Sequence, residues 1–238
     1  MDKQKPEKRS YFDSGDAKTI LSICGVCQSK QKLGMIIGKS GYGKTYALKY
    51  YRVLQHVRYI ECTDAMSNGD LIDAIETALY TGTGLGTIYR RMNRLREFFS
   101  ENKGYLLIID EADKLVSKAT QKKLESLRYL YDGGNVGIVL AGEPALEERV
   151  KKYLDRVANR IDYRFEMTGL KRSEVQRYLS AYNITADAQE ELILLATSRQ
   201  GGCFRLLDRT MRNALDIARD GNGQVTLDVL RKARAIMV

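Results

Sequence analysis

Residues 38–45 read Gly38, Lys39, Ser40, Gly41, Tyr42, Gly43, Lys44, Thr45, a G-x-x-x-x-G-K-T pattern. It lies between the apolar run Leu33, Met35, Ile36, Ile37 and a helical stretch that opens at Tyr46. Strand, glycine-rich loop and helix in that order turn several backbone N–H groups and the positive end of the helix toward one point. That arrangement suits the phosphates of a nucleotide. In such a loop Lys44 reaches the β- and γ-phosphates and the Thr45 hydroxyl holds Mg2+.

A second pair with chemistry follows Tyr105. Leu106, Leu107, Ile108 and Ile109 form a short continuous apolar run, the pattern of a strand buried on both faces of a parallel sheet. Asp110 and Glu111 close it at the C-terminal end, where open α/β sheets bind ligands. One carboxylate there can orient Mg2+ through its water shell, and the next can accept a proton from an attacking water.

Further apolar runs at 57–62, 136–140 and about 161–165 bring the strands to five, alternating with helices, which predicts a parallel, doubly wound sheet. Helices are expected at 16–30, 46–54 and 67–80, and a fourth carries the apolar stripe Ile88, Met92, Leu95, Phe99. Arg90, Arg91 and Arg94 are read as lying away from that stripe, either as a solvated face or as one that tracks phosphates. Gly82, Gly84 and Gly86 have no strand before them and are read as a mobile loop rather than a second nucleotide site. The helix expected at 114–132 points Leu124, Leu127 and Tyr131 inward and Lys118, Lys122 and Lys123 outward.

After about residue 168 only helical patterns remain. Ser173 and Gln176 read as a capping box, Asp187 and Glu190 open a second helix, and Gly201 and Gly202 precede a third carrying Leu207, Met211, Ala214, Leu215 and Ala218. A fourth starts at Thr226. The expected organisation is a flexible basic tail at 1–12, an α/β nucleotide-binding domain at 13–168 and a helical subdomain at 169–238.

The 238 residues carry a formal net charge of +9, which favours a polyanionic partner. No apolar run is long enough for a membrane span, and the charged start lacks a signal-peptide core, so a cytoplasmic protein is expected. Cys24 and Cys27 form a C-x-x-C, but with Cys62, Cys203 and His56 scattered the cysteines are read as structural.

The phosphate loop, the sequence Leu-Leu-Ile-Ile-Asp-Glu-Ala-Asp and a helical lid carrying Gly-Gly-Cys-Phe-Arg resemble the AAA+ ATPases from about residue 13 to the end. Within them the chain is most similar to the transposition target-selection ATPases, the group of the phage Mu B protein, TniB and TnsC. The leading helix, Asp-Glu-Ala-Asp-Lys-Leu from Asp110, the strand ending Val-Leu-Ala-Gly-Glu-Pro and the compact size carry that likeness.

The resemblance implies ATP with Mg2+ held by the whole loop from Gly38 to Tyr46. Lys44 and Thr45 would be the Walker A lysine and metal ligand, and Asp110 and Glu111 the Walker B pair, with Asp110 on the metal and Glu111 as catalytic base. Arg205 would be the sensor 2 arginine of the lid. Arg160, or failing that Arg156, would be the finger inserted into a neighbouring subunit's site. Ala141, Gly142 and Glu143 stand where a sensor 1 Asn, Thr or Ser is usual, which leaves that role unassigned and points to slow hydrolysis.

By the same resemblance, ATP joins copies of the chain into a filament or ring on double-stranded DNA, bound with little sequence preference. The assembly recruits or activates a transposase, and DNA stimulates hydrolysis. DNA contacts are expected from Arg90, Arg91 and Arg94, from the loop beginning at Thr63, and from Lys118, Lys122 and Lys123. The alternative is an accessory ATPase of the ExeA type that does not act on DNA.

Overall fold

The computed structural model describes residues 13–82, 84–116, 121–198, 201–219 and 223–237. Residues Thr19–Gly169 form one compact unit, and the described residues up to Lys18 and from Leu170 onward form a second.

In the first unit, α1 (Gly15–Lys30, whose first turn belongs to the second unit) leads into β1 (Leu33–Ile37), and α2 (Lys44–Tyr51) follows the glycine-rich loop. Then come β2 (Val57–Glu61), α3 (Asn68–Leu79), α4 (Ile88–Glu101) and β3 (Tyr105–Asp110). A 3-10 turn (Ala112–Leu115), α5 (Lys122–Asp132), β4 (Val136–Gly142), α6 (Ala145–Tyr153), α7 (Asp155–Ala158) and β5 (Tyr163–Glu166) complete it.

The five strands are parallel in the order β2-β3-β4-β1-β5, as the alternation of apolar strands and helices predicts. Every residue of β1, β3 and β4 is buried, because helices cover both faces of the sheet. One face packs Leu33, Met35, Leu107, Ile109, Ile138 and Leu140 against residues of α3, α4, α5 and α6. Side chains alternate across a strand, and the other face receives α1, whose Cys27 backbone lies hard against Gly137. Cys24, Cys27 and Cys62 are buried, and burial pushes their thiols up, Cys27 and Cys62 to about 12.

In the second unit α8 (Arg172–Leu179), α9 (Ala186–Thr197), α10 (Phe204–Arg219) and α11 (Leu227–Ala235) surround Val175, Leu179, Leu192, Leu207, Met211 and Leu230. Ser173 and Gln176 do not cap the first of these helices. It starts earlier, and the buried Glu174 carboxylate accepts the Lys171 N–H at 2.8 Å and the Gly15 N–H at 2.6 Å. An ionised carboxylate is the stronger acceptor at a helix start, and it ties the first turn of α1 to this unit.

Three further expectations are corrected. Arg91 is not on the outer face of α4 but buried, with its guanidinium on Glu76 and Asp73 of α3. Residues four apart share a helix face, so Arg91 lies above Leu95 and turns inward because α3 supplies carboxylates there. Ile88, placed in the apolar stripe, is 40% exposed. Lys123 is likewise buried, its ammonium donating to Met66 O at 2.8 Å. Its neighbour Leu124 is also inside, and a backbone carbonyl replaces water around the charge. Lys118 lies outside the described residues.

Candidate functional site

The sheet order brings the two motifs to one edge. The phosphate loop leaves β1, the acidic pair leaves β3, and β4 stands between those strands, with Gly38 N–H donating to Gly142 O at 3.2 Å. Gly41 and Gly43 have φ of 82° and 102°, a left-handed backbone that side chains resist. Gly43 sits at the start of α2, whose first turn has no side-chain cap. The first N–H groups of a helix have no carbonyl of their own helix to bond.

Lys44 is buried, and its ammonium curls back onto the loop carbonyls of Gly38 at 2.5 Å and Lys39 at 3.2 Å. Burial lowers its pKa, opposed by the negative charge of Asp110, Glu111, Glu143 and Asp113 around it. Asp113 also holds the end of β4, accepting the Glu143 N–H at 3.0 Å. The end of β4, where no sensor 1 residue was assigned in the sequence, offers the loop the backbone of Gly142.

Asp110 is fully buried and gathers three donors. Its Oδ2 accepts the Thr45 hydroxyl and the Tyr59 hydroxyl, each at 2.7 Å, and its Oδ1 accepts the Glu111 N–H at 2.9 Å. Glu111 has φ of 56°, a left-handed conformation rare outside glycine and recurrent at functional sites. Its carboxylate pairs with Lys114 at 3.2 Å. Uncapped N–H groups, a buried ammonium and two oxygen ligands, Thr45 and Asp110, in contact are a donor set that fits a phosphate chain with a divalent cation.

Among the other predicted residues, Lys39 and Ser40 are exposed on the loop, and Tyr42 and Tyr46 are half-buried. Arg205 is on the first turn of α10, in the second unit. Arg156 is exposed on α7. Arg160 pairs with Asp132 at 2.7 Å. Asp162 N–H meets Leu33 O at the opposite end of β1 from the phosphate loop, so the Arg160 backbone lies at the far edge of the sheet from that loop.

The basic face is narrower than predicted. Arg90, Arg94 and Lys122 are exposed, as is Thr63, while Arg91 and Lys123 are inside. In the described part of the glycine loop before α4, Glu76 accepts the Gly84 N–H at 3.3 Å and Arg94 donates to Leu85 O at 2.5 Å. A groove of about 510 Å3 runs between α4 and α5, lined in part by Ile88, Tyr89, Lys122 and Tyr129. The sequence reading missed Tyr59. No local pattern marks it, because only the register of β2 beside β3 carries its hydroxyl to Asp110.

A parallel sheet with this loop after its first strand and an acidic pair at the end of the strand one removed from it defines a P-loop nucleotide-binding α/β protein. The chain belongs to the AAA domain family, whose pattern matches residues 27–150. It is 26% identical to the ATP-dependent target DNA activator B of Escherichia phage Mu over 96% of this chain and 73% of that one. It is 25% identical to the Mu-like prophage FluMu DNA transposition protein B of Haemophilus influenzae over 86% of this chain and 72% of the other. The likeness to the target-selection group read from the motifs is borne out by these relatives. Among solved structures the Aeropyrum pernix ORC2 protein in its ADP form shares the fold, with a TM-score of 0.75 at 16% identity, covering 99% of this chain and 71% of that one. Among the described residues no helix is long and apolar enough to cross a membrane.

Proposed function

We propose that the chain is an ATP-dependent, sequence-nonspecific double-stranded-DNA-binding ATPase. It assembles on target DNA and recruits or activates a transposase. One observation carries this reading: the chain aligns along 96% of its length with a protein named as an ATP-dependent target DNA activator.

In this reading the loop from Gly38 to Tyr46 wraps the phosphates, and Lys44 leaves its loop carbonyls to meet the β- and γ-oxygens. Mg2+, when bound, supplies positive charge across the phosphates, and Thr45 and Asp110 would hold it. Glu111 takes the proton of the attacking water, its left-handed backbone aiming the carboxylate. Arg205 serves as the sensor 2 arginine. Arg160 or Arg156 serves a neighbouring subunit, a role supported by the distance of that sheet edge from the chain's own loop. A nucleotide between copies is therefore the glue of the assembly, and slow, DNA-stimulated hydrolysis dissolves it. Arg90, Arg94 and Lys122 contact DNA phosphates, with Thr63 at the margin.

The test is binding to random-sequence duplex DNA with ATP, with ADP and in Lys44→Ala, repeated across salt. Binding that requires ATP, fails in the variant and falls steeply with salt is expected, each phosphate contact adding about 0.9 to the log–log slope. Binding that is absent or indifferent to nucleotide overturns the reading in favour of an accessory ATPase that does not act on DNA.

A further inference from the structure

Asp110 is held from three elements at once: Thr45 on α2, Tyr59 on β2 and the backbone of Glu111 after β3. The Thr45 and Tyr59 hydroxyls converge on the same oxygen, each at 2.7 Å. Asp110 is wholly buried, so those donors stand in for solvent around it. The parallel register sets Tyr59 beside Ile108, two residues short of Asp110, and the length of a tyrosine side chain spans that offset along the strand. The ring is gripped from outside by cations, with Lys49 Nζ 5.5 Å and the Arg52 guanidinium 5.8 Å from its centroid.

We propose that Tyr59 is a positioning residue of the nucleotide site: its hydroxyl, with Thr45 also on Oδ2 and the Glu111 N–H on Oδ1, fixes the rotation of the Asp110 carboxylate so that its remaining lone pair faces the divalent cation beside Thr45. The inference rests on the phosphate-site reading above. Thr45 can keep donating its proton to Asp110 while its oxygen turns a lone pair to a metal. Thr45 holds Oδ2 and the Glu111 N–H holds Oδ1, and Tyr59 supplies the third contact, the second on Oδ2. A charged acceptor that loses one of its neutral donors loses more than an ordinary hydrogen bond contributes. The effect is felt where the carboxylate meets metal, not where the loop meets phosphate.

The test is equilibrium binding of a fluorescent, non-hydrolysable ATP analogue to the full chain, titrated with Mg2+, for wild type, Tyr59→Phe, Asp110→Asn and the double variant. Tyr59→Phe keeps the ring beside Lys49 and Arg52. Expected are metal-free affinity within about twofold of wild type and a Mg2+ half-saturation raised about tenfold. In the Asp110→Asn background the same change has no further effect on Mg2+. An unchanged Mg2+ half-saturation overturns the proposal, as does a Tyr59 effect that persists without the Asp110 carboxylate. Should Tyr59→Phe lower the thermal midpoint, the comparison within the Asp110→Asn background still decides. Lys44→Ala binding the analogue as well as wild type overturns the phosphate site itself, a result separate from any effect of Tyr59.

Discussion

Arg91 of α4 and Glu76 of α3 form a buried ion pair, with Arg91 Nε 3.1 Å from both carboxylate oxygens and Nη2 2.6 Å from one of them. The same carboxylate accepts the Gly84 N–H, so a single acidic side chain sets both the tilt of the basic helix and the course of the loop before it. Arg91→Ala leaves Glu76 buried without its main partner and is expected to cost about 3 kcal/mol or more. Urea unfolding measures it. Pairing Arg91→Met with Glu76→Leu should restore much of the loss, because replacing both charges removes the uncompensated one.

The phosphate site separates binding from turnover. In the proposed reading Lys44 serves the phosphates, so Lys44→Ala should abolish measurable ATP binding. Glu111→Gln keeps the loop and should bind ATP while hydrolysing it at least about a hundredfold more slowly, the scale of a lost general base. Nucleotide binding and phosphate release, measured on the same preparations, distinguish the two. Equal hydrolysis by Glu111→Gln and wild type would remove Glu111 from the base role.

Acid should weaken the α6 edge of the sheet in a defined window. The Arg164 guanidinium, with Lys151 adding to it, holds the Glu147 carboxyl at about 2 against an ordinary 4.5. A carboxyl depressed in the folded state stabilises above its ordinary value, and that contribution is lost as pH falls from about 4.5 through about 2. Arg164 is 46% exposed, so water screens the pair. Glu147→Gln should therefore cost only about 1 kcal/mol at pH 7. Unfolding curves at neutral pH and at successively lower pH should show the gap to wild type closing.

Gly137 is where α1 touches β4. A β-carbon there would lie 2.1 Å from the Cys27 carbonyl oxygen, and that obstacle is backbone rather than a side chain that can swing away. Gly137→Ala must push α1 off the sheet and should cost at least about 3 kcal/mol. Gly134→Ala, which meets nothing nearby but has φ of 85°, should cost less. Thermal melts of the two variants give the comparison.

The phosphate loop, the acidic pair and the order of strands and helices were legible in the sequence because each depends on neighbours within a few residues. Glycines permit positive φ where the loop turns, and continuous apolar runs mark strands covered on both faces. Those signals are local, and Gly43, Lys44, Asp110 and the five strands stand where they predict. Tertiary structure decided which charges face water. Helical periodicity assigned Arg91 and Lys123 outward on the rule that charges are solvated, but a carboxylate from α3 and a carbonyl from the loop after β2 replace the solvent at those positions. It also decided what surrounds Asp110, since Tyr59 and Thr45 lie 51 and 65 residues before it and reach it through strand register and helix packing alone. A sequence fixes the chemistry of each side chain, whereas the partner that makes its burial tolerable comes from another element and exists only once the chain has folded.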